Sequence, residues 1–181
     1  ALGARASSDE RWTLLDEKLQ GAPLRPFQQG VAASREPWTL VKAGCGTGKT
    51  AAACAWGARQ HVGRQLWLTY PTTGTATEGY RDYVQKAKLD GALQHSRAEL
   101  DLELLTTQED SEENGKTEAM DLALRGWAAD TVVATVDTVL GIVHNQRASH
   151  YAYPGICRGA LVFDELHAYD ERLFGCLLRF L

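Results

Sequence analysis

Residues 43–50 read Ala43-Gly44-Cys45-Gly46-Thr47-Gly48-Lys49-Thr50. Alternating glycines let the backbone curl until successive N–H groups converge on phosphate oxygens. An apolar run at residues 38–42 leads into this loop, and an alanine-rich, helix-forming run at residues 50–61 leaves it. A helix starting there points its N-terminus, with about half a positive charge, at the same anion. Lys49 is then placed for the β- and γ-phosphates of a nucleotide and the Thr50 hydroxyl for Mg²⁺. Gly44, Cys45, Gly46, Thr47 and Gly48 form the cradle. The first position is Ala43 where glycine is usual, so the strand–loop–helix context is what separates the pattern from a chance glycine-rich turn.

A second group lies more than a hundred residues on. Leu161-Val162-Phe163-Asp164-Glu165-Leu166-His167 is an apolar strand that ends on two carboxylates. Open α/β sheets present reactive groups at the carboxyl ends of their strands. Asp164 is placed to hold Mg²⁺ with Thr50, and Glu165 to orient and polarise an attacking water. His167 is within reach of the γ-phosphate region and of a neighbouring domain. Alone, these residues could be a solvated strand end with a surface histidine. Beside the phosphate loop they complete one Mg²⁺–ATP site, with Lys49, Asp164, Glu165 and His167 as its catalytic set. Cys45, inside the loop and next to a helix N-terminus and Lys49, is an expected chemical handle on that site.

Positioning these groups requires a sheet. Residues 66–70, 93–95, 131–136 and 160–163 read as further strands, the third strongly β-branched. Helices are expected over 7–20, 80–88, 121–127 and 137–145 and at the C-terminus, with a solvated loop at 109–115. Strands alternating with helices predict an α/β fold of the RecA-like phosphate-loop type: a mostly parallel sheet with helices on both faces. Trp38 and Trp67 flank strands and are expected in the core. Residues 1–22 are expected to be a helix and linker, and residues 23–181 one ATP-binding domain.

The bulk properties agree with a single globular domain. The chain has 181 residues, 44% of them apolar and 23% charged, with a net charge of −4. That balance does not announce a nucleic-acid binder, yet a strand can be gripped by hydroxyls and backbone amides. Cys45, Cys54, Cys157 and Cys176 form no CxxC pair, which argues against zinc and suggests a reducing, cytoplasmic setting. No apolar run approaches membrane-spanning length. The apolar final run is expected to mark a piece cut from a larger protein.

The motif Asp164-Glu165-Leu166-His167 resembles the DExH box of superfamily 2 helicases. Its extension through Ala168-Tyr169-Asp170 resembles the helicase–nuclease of type I CRISPR systems. Three further segments match in order: Arg25-Pro26-Phe27-Gln28, Pro71-Thr72-Thr73-Gly74-Thr75-Ala76, and Thr135-Val136-Asp137-Thr138-Val139-Leu140. The resemblance implies an adenine-reading role for Gln28, and a strand track along Thr72, Thr73, Thr75, Thr135 and Asp137. As plain sequence, these threonines are equally β-formers or helix caps, and Asp137 is a good N-cap. The Pro-Thr-Arg of many relatives is Pro71-Thr72-Thr73 here, which weakens the expected grip. No histidine precedes an aspartate, so the family's nuclease motif is not in this chain, and neither is the Ser-Ala-Thr motif.

The resemblance thus implies the first of two RecA-like motor domains of an ATP-dependent single-stranded DNA translocase or helicase in CRISPR antiviral defence. Implied partners are single-stranded DNA, a CRISPR RNA-guided effector complex, and a second motor domain and nuclease domain of a parent protein. Alternatives are a DExH RNA helicase, a DNA translocase of another system, or a nucleotide-binding interaction module without its own activity.

Overall fold

The computed structural model describes Leu15, Leu19 and residues 21–86, 89–95, 126, 128–144 and 147–181. Within these, β1 (Leu66–Tyr70), β2 (Gly91–Gln94), β3 (Thr131–Thr135) and β4 (Ala160–Phe163) form one sheet in the order β2-β3-β1-β4. Every pairing is parallel, with Leu68 opposite Val133 on one side and Val162 on the other. The described helices are α1 (Pro26–Ala33), α2 (Lys49–Gln60), α3 (Thr73–Tyr80), α4 (Val136–Leu140), α5 (Arg147–Arg158) and α6 (Glu171–Phe180).

The strands alternate between two cores, as the two-residue period of a strand requires. Leu66, Leu68, Tyr70, Leu93 and Val133 face one way, against Cys54, Ala55 and Ala58 of α2 and against Val84. Trp67, Ala92, Val132 and Ala134 face the other way, against Val139 of α4 and Ala152 and Ile156 of α5. A sheet covered on both faces explains why β1 and β3 read as continuous apolar runs, with all ten of their residues buried. Each fully buried Leu or Val adds about 1.5–3 kcal/mol of transfer free energy. Alanines on α2 keep that helix close to the sheet, which fixes the height of the loop before it.

Inside the second core, Gln65 and Trp67 are both 0% exposed. The Gln65 amide donates to the carbonyls of Gly126 and Ala129, each at 2.6 Å, and its Oε1 accepts the Trp67 indole N–H at 2.9 Å. One side chain therefore satisfies three buried polar groups just ahead of β1.

The parallel α/β architecture is the expected one, with corrections in detail. Residues 38–42 form no strand and pair with no described strand. Both sides of β1 are occupied by β3 and β4, and Trp38 and Leu40 are 59% and 81% exposed. Trp38 is thus a surface residue, whereas Trp67 is core. The helix expected from residue 80 starts earlier, as α3, and runs into a π-helical turn at Arg81–Gln85. α4 ends at Leu140 rather than 145, and α5 (with Pro154 inside it) has no counterpart in the sequence reading. Leu15 and Leu19 are helical, as expected. The rest of residues 7–20, the loop at 109–115 and the helix at 121–127 apart from Gly126 lie outside the described residues. Among the described residues, no helix is long and apolar enough to cross a membrane.

Replacing Gln65 by leucine strands the Trp67 N–H and two carbonyls. At roughly 1–3 kcal/mol per orphaned buried group, less what relaxation recovers, Gln65→Leu should cost about 3 kcal/mol. Urea denaturation of wild type and variant reads this out, and a loss under about 1 kcal/mol contradicts the network.

Candidate functional site

Parallel strands deliver all four carboxyl ends to one rim, and the site is built there. The phosphate loop turns through Gly46 (φ 71°) and Gly48 (φ 89°), both left-handed. Gly48 caps α2, and a Cβ on it would meet Gln28 Nε2 at 2.5 Å. Glycine is required there for dihedral and for space. Lys49 begins α2, and its ammonium donates back to the carbonyls of Ala43 and Gly44 at 3.2 Å each. The Thr47 hydroxyl donates to the Gly44 carbonyl at 2.8 Å. Cys45 is exposed.

Arg25 and Gln28, on either side of Pro26-Phe27, brace this loop. Gln28 is 2% exposed; its Nε2 donates to the Gly48 carbonyl at 3.0 Å and its Oε1 accepts the Arg25 N–H at 2.8 Å. One hydrogen and one lone pair of the amide remain, on a side chain that is almost wholly buried. The Arg25 guanidinium donates to the Thr47 carbonyl at 2.9 Å, a loop contact that sequence reasoning did not foresee. The signal for it was the short spacing to Gln28.

The acidic box closes on the loop. Thr50 Oγ1 donates to Asp164 Oδ2 at 2.8 Å, joining residues 114 apart. Asp164 is pinned from both sides: its N–H donates to the Thr69 carbonyl of β1 at 3.0 Å, and its Oδ1 accepts the Glu165 N–H at 2.8 Å. Glu165 has φ 55° and ψ 40°, the one described residue other than glycine with positive φ. That conformation costs roughly 1–2 kcal/mol and is a mark of functional positions. His167 Nδ1 lies 3.1 Å from Glu165 Oε2, with the histidine side chain 73% exposed. At such exposure the contact orients Glu165 more than it stabilises the fold.

Hydroxyl and carboxylate oxygens at the meeting of loop and box suit a hard cation such as Mg²⁺. Thr50 and Asp164 are therefore a fitting donor pair. Among the described residues, no group of three or more His, Cys, Asp or Glu side chains could hold a metal by itself. A Mg²⁺ held here requires further oxygens from water or phosphate.

Three tyrosines line the site's interior; of these the sequence reading named only Tyr169, as part of the extended acidic box. Burial, first, raises the phenols of Tyr70, Tyr83 and Tyr169 above their ordinary value; the charge of Asp164 adds to the effect in each. Tyr83 also hydrogen-bonds Thr50, which opposes the rise. Tyrosine carries no spacing signal, so only the fold reveals these neighbours.

The expected strand-track residues gather at the carboxyl ends of β1 and β3. Thr72 and Thr75 form a reciprocal capping box at the start of α3, with Thr75 N–H donating to Thr72 Oγ1 at 3.2 Å. Thr73 opens the helix, and its carbonyl accepts from Thr77 Oγ1 at 3.0 Å. Thr135 is 8% exposed and its hydroxyl lies 3.1 Å from that of Thr138. The N-cap of α4 is Thr135, so Asp137 is not the cap; it is exposed in the first turn. Thr72 and Asp137 thus stay open to solvent, while Thr135 serves the fold.

Comparison with known proteins adds to this geometry. Residues 25–181 match the family described as DEAD/DEAH box helicase. The chain belongs to that family. This DEAD/DEAH box chain is also 55% identical over 170 residues to a Myxococcus xanthus (strain DK1622) protein provisionally described as a CRISPR-associated nuclease/helicase Cas3. The alignment covers 93% of this chain and 23% of that protein, so the chain spans about a quarter of its relative's length. No solved structure matched. In helicases of this family, the loop and the acidic box are where nucleotide chemistry is expected, and here they are in contact.

The raised phenols set an alkaline limit. The fold favours neutral Tyr70, Tyr83 and Tyr169 relative to the unfolded value of 10.0, so their contribution is complete below pH 10. It is lost as pH climbs above 10 towards the folded-state values. Denaturation midpoints should be insensitive to these groups between neutral pH and pH 10, then fall, with the phenolate absorbance of these three tyrosines appearing only as the chain unfolds. Reversible titration of all tyrosines in the folded chain near pH 10 contradicts this.

Proposed function

We propose that this chain is the ATP-binding half of an ATP-dependent translocase or helicase that moves along single-stranded DNA in CRISPR-based antiviral defence. The observation that carries the reading is the 2.8 Å contact between Thr50 of the phosphate loop and Asp164 of the acidic box. Family membership and the relative's description support the helicase and CRISPR parts. A second motor domain, a nuclease domain and an RNA-guided effector complex are the proposed partners, and the cytoplasm the proposed setting.

The roles follow from the geometry. The curled loop presents backbone N–H groups to the β- and γ-phosphates. Lys49 exchanges its bonds with the Ala43 and Gly44 carbonyls for phosphate oxygens. Thr50 and Asp164 hold Mg²⁺, which when bound neutralises charge developing on the phosphates. Glu165 orients and polarises the attacking water, and His167 holds the Glu165 carboxylate in register. The free edge of the Gln28 amide receives adenine. Thr72, Thr73, Thr75, Thr135 and Asp137 mark the strand side; Thr72 and Asp137 make contact through exposed groups, and the others shape the turns that present them. Such contacts position a strand without reading its sequence.

Two variants separate binding from hydrolysis in the full-length protein. Lys49→Ala should weaken Mg²⁺–ATP binding at least tenfold, the loss of one charge-assisted contact. Glu165→Gln should bind ATP as wild type does and lose hydrolysis by about a hundredfold or more. Calorimetry and steady-state ATPase rates measure both, and a shared binding defect removes the role given to Glu165.

Thiol labelling gives an independent check. Cys45 and Cys157 are exposed, Cys54 and Cys176 buried. A maleimide should therefore mark Cys45 and Cys157 first, and Mg²⁺–ATP should protect Cys45 alone. Mass-spectrometric mapping with equal Cys45 labelling in both conditions speaks against nucleotide at the loop.

A further inference from the structure

Arg25 has no part in the chemistry assigned above, yet it touches the phosphate loop. It is the N-cap residue of α1, and its guanidinium donates to the Thr47 carbonyl at 2.9 Å. Among the described residues no ion pair competes for that guanidinium. Three residues on, the Gln28 amide donates to the Gly48 carbonyl at 3.0 Å. The far end of α1 is anchored as well. There the Gln60 amide of α2 donates to the Ala32 carbonyl at 3.0 Å, and the Trp56 indole N–H donates to the Ser34 carbonyl at 3.2 Å. Those carbonyls lie where a helix runs out of internal partners. α1 is thus tied to the loop at its start and to α2 at its end.

A trans peptide is planar, with its C=O and N–H pointing in opposite directions. Holding the Thr47 carbonyl towards Arg25 therefore aims the Gly48 N–H away from α1. Holding the Gly48 carbonyl towards Gln28 aims the Lys49 N–H away from α1 as well. Gly48 is left-handed at φ 89° and ψ 37°, and Lys49 opens the right-handed α2. Successive N–H groups in such a turn form a concavity for an anion. The Gly48 carbonyl is also held by the Ala52 N–H at 3.1 Å, a bond that helix geometry supplies. The Thr47 carbonyl lies outside the helix, so Arg25 governs the peptide that α2 does not.

We infer that Arg25 is a positioning residue for phosphate: through the Thr47–Gly48 peptide it presets the loop to grip a polyphosphate, whatever base is attached. The inference rests on the ATP-binding reading above and goes beyond it, because that reading gives α1 only a base contact, through Gln28. An arginine that touched the base would act on nucleotides carrying that base. An arginine that acts through the loop backbone acts on the phosphates of any nucleotide, and on a polyphosphate with no base at all.

The test uses the full-length protein and calorimetry with ADP, GDP and inorganic pyrophosphate, each with Mg²⁺. Pyrophosphate has no base. Arg25→Met keeps most of the alkyl stem and loses the donors. It should weaken all three ligands by a common factor of about five, the worth of one hydrogen bond, and leave the ADP-to-GDP ratio as in wild type. The loss should persist at about 1 M salt, where the bare charge of an exposed arginine is screened beyond roughly 3 Å. Thermal unfolding checks that the variant folds, and a merely structural role leaves the affinities of the folded variant unchanged. A loss confined to ADP assigns Arg25 to the base and overturns the inference. Unchanged pyrophosphate affinity, a wild type that binds ADP but not pyrophosphate, or a loss that disappears at high salt overturns it too, and each leaves nucleotide binding intact. A wild-type protein that binds none of the three overturns the ATP-binding reading itself, and this inference with it.

Discussion

All four described strands run in one direction, and that constraint organises everything else. A parallel pair cannot be joined by a tight turn, so each strand must return through a crossover that covers a sheet face. Two apolar faces follow, with α2 on one and α4 and α5 on the other. The carboxyl ends then lie along a single rim. β1 sits between β3 and β4, so the turns after three adjacent strands become neighbours although the sequence separates them widely. Thr72 shares a cavity with Asp137 for this one reason.

The rim holds its groups by mutual restraint. Asp164 accepts from Thr50 and from the Glu165 N–H, and its own N–H is held by β1. Gln28 and Arg25 tie α1 to the loop backbone, so the element that would read adenine also sets the loop's shape. Buried phenols stand behind the carboxylates without adding charge. The strained dihedral of Glu165 survives because its neighbours leave it no alternative, as is common where a side chain must face a ligand.

The proposed nucleotide and strand sides are not separate regions. The segment after Glu165 passes through a short 3₁₀ turn at Leu166–Ala168 into the N-cap of α6, and that stretch forms a cavity wall. A short, hydrogen-bonded connection of this kind joins the acidic box to the cavity wall.

Much was written in local pattern. The loop glycines with Lys49 and Thr50, and the apolar run ending in Asp164 and Glu165, identify phosphate chemistry because backbone curl, charge and metal preference depend on residue type at short range. The apolar runs of β1, β3 and β4 foretell a buried parallel sheet for the same reason. Other features depended on the fold. Residues 38–42 have the composition of a strand, yet both edges of β1 are taken and Trp38 lies at the surface, since pairing is a property of neighbours and not of propensity. α5 escaped because Pro154 interrupts the pattern by which helices are recognised. Asp137 reads as a helix cap, but Thr135 takes that place and frees its carboxylate for the rim. Arg25 and Tyr83 gain meaning only through contacts made across the chain. Sequence determined which chemistry is present; tertiary structure decided which groups meet, because parallel crossovers bring together residues that no local spacing relates.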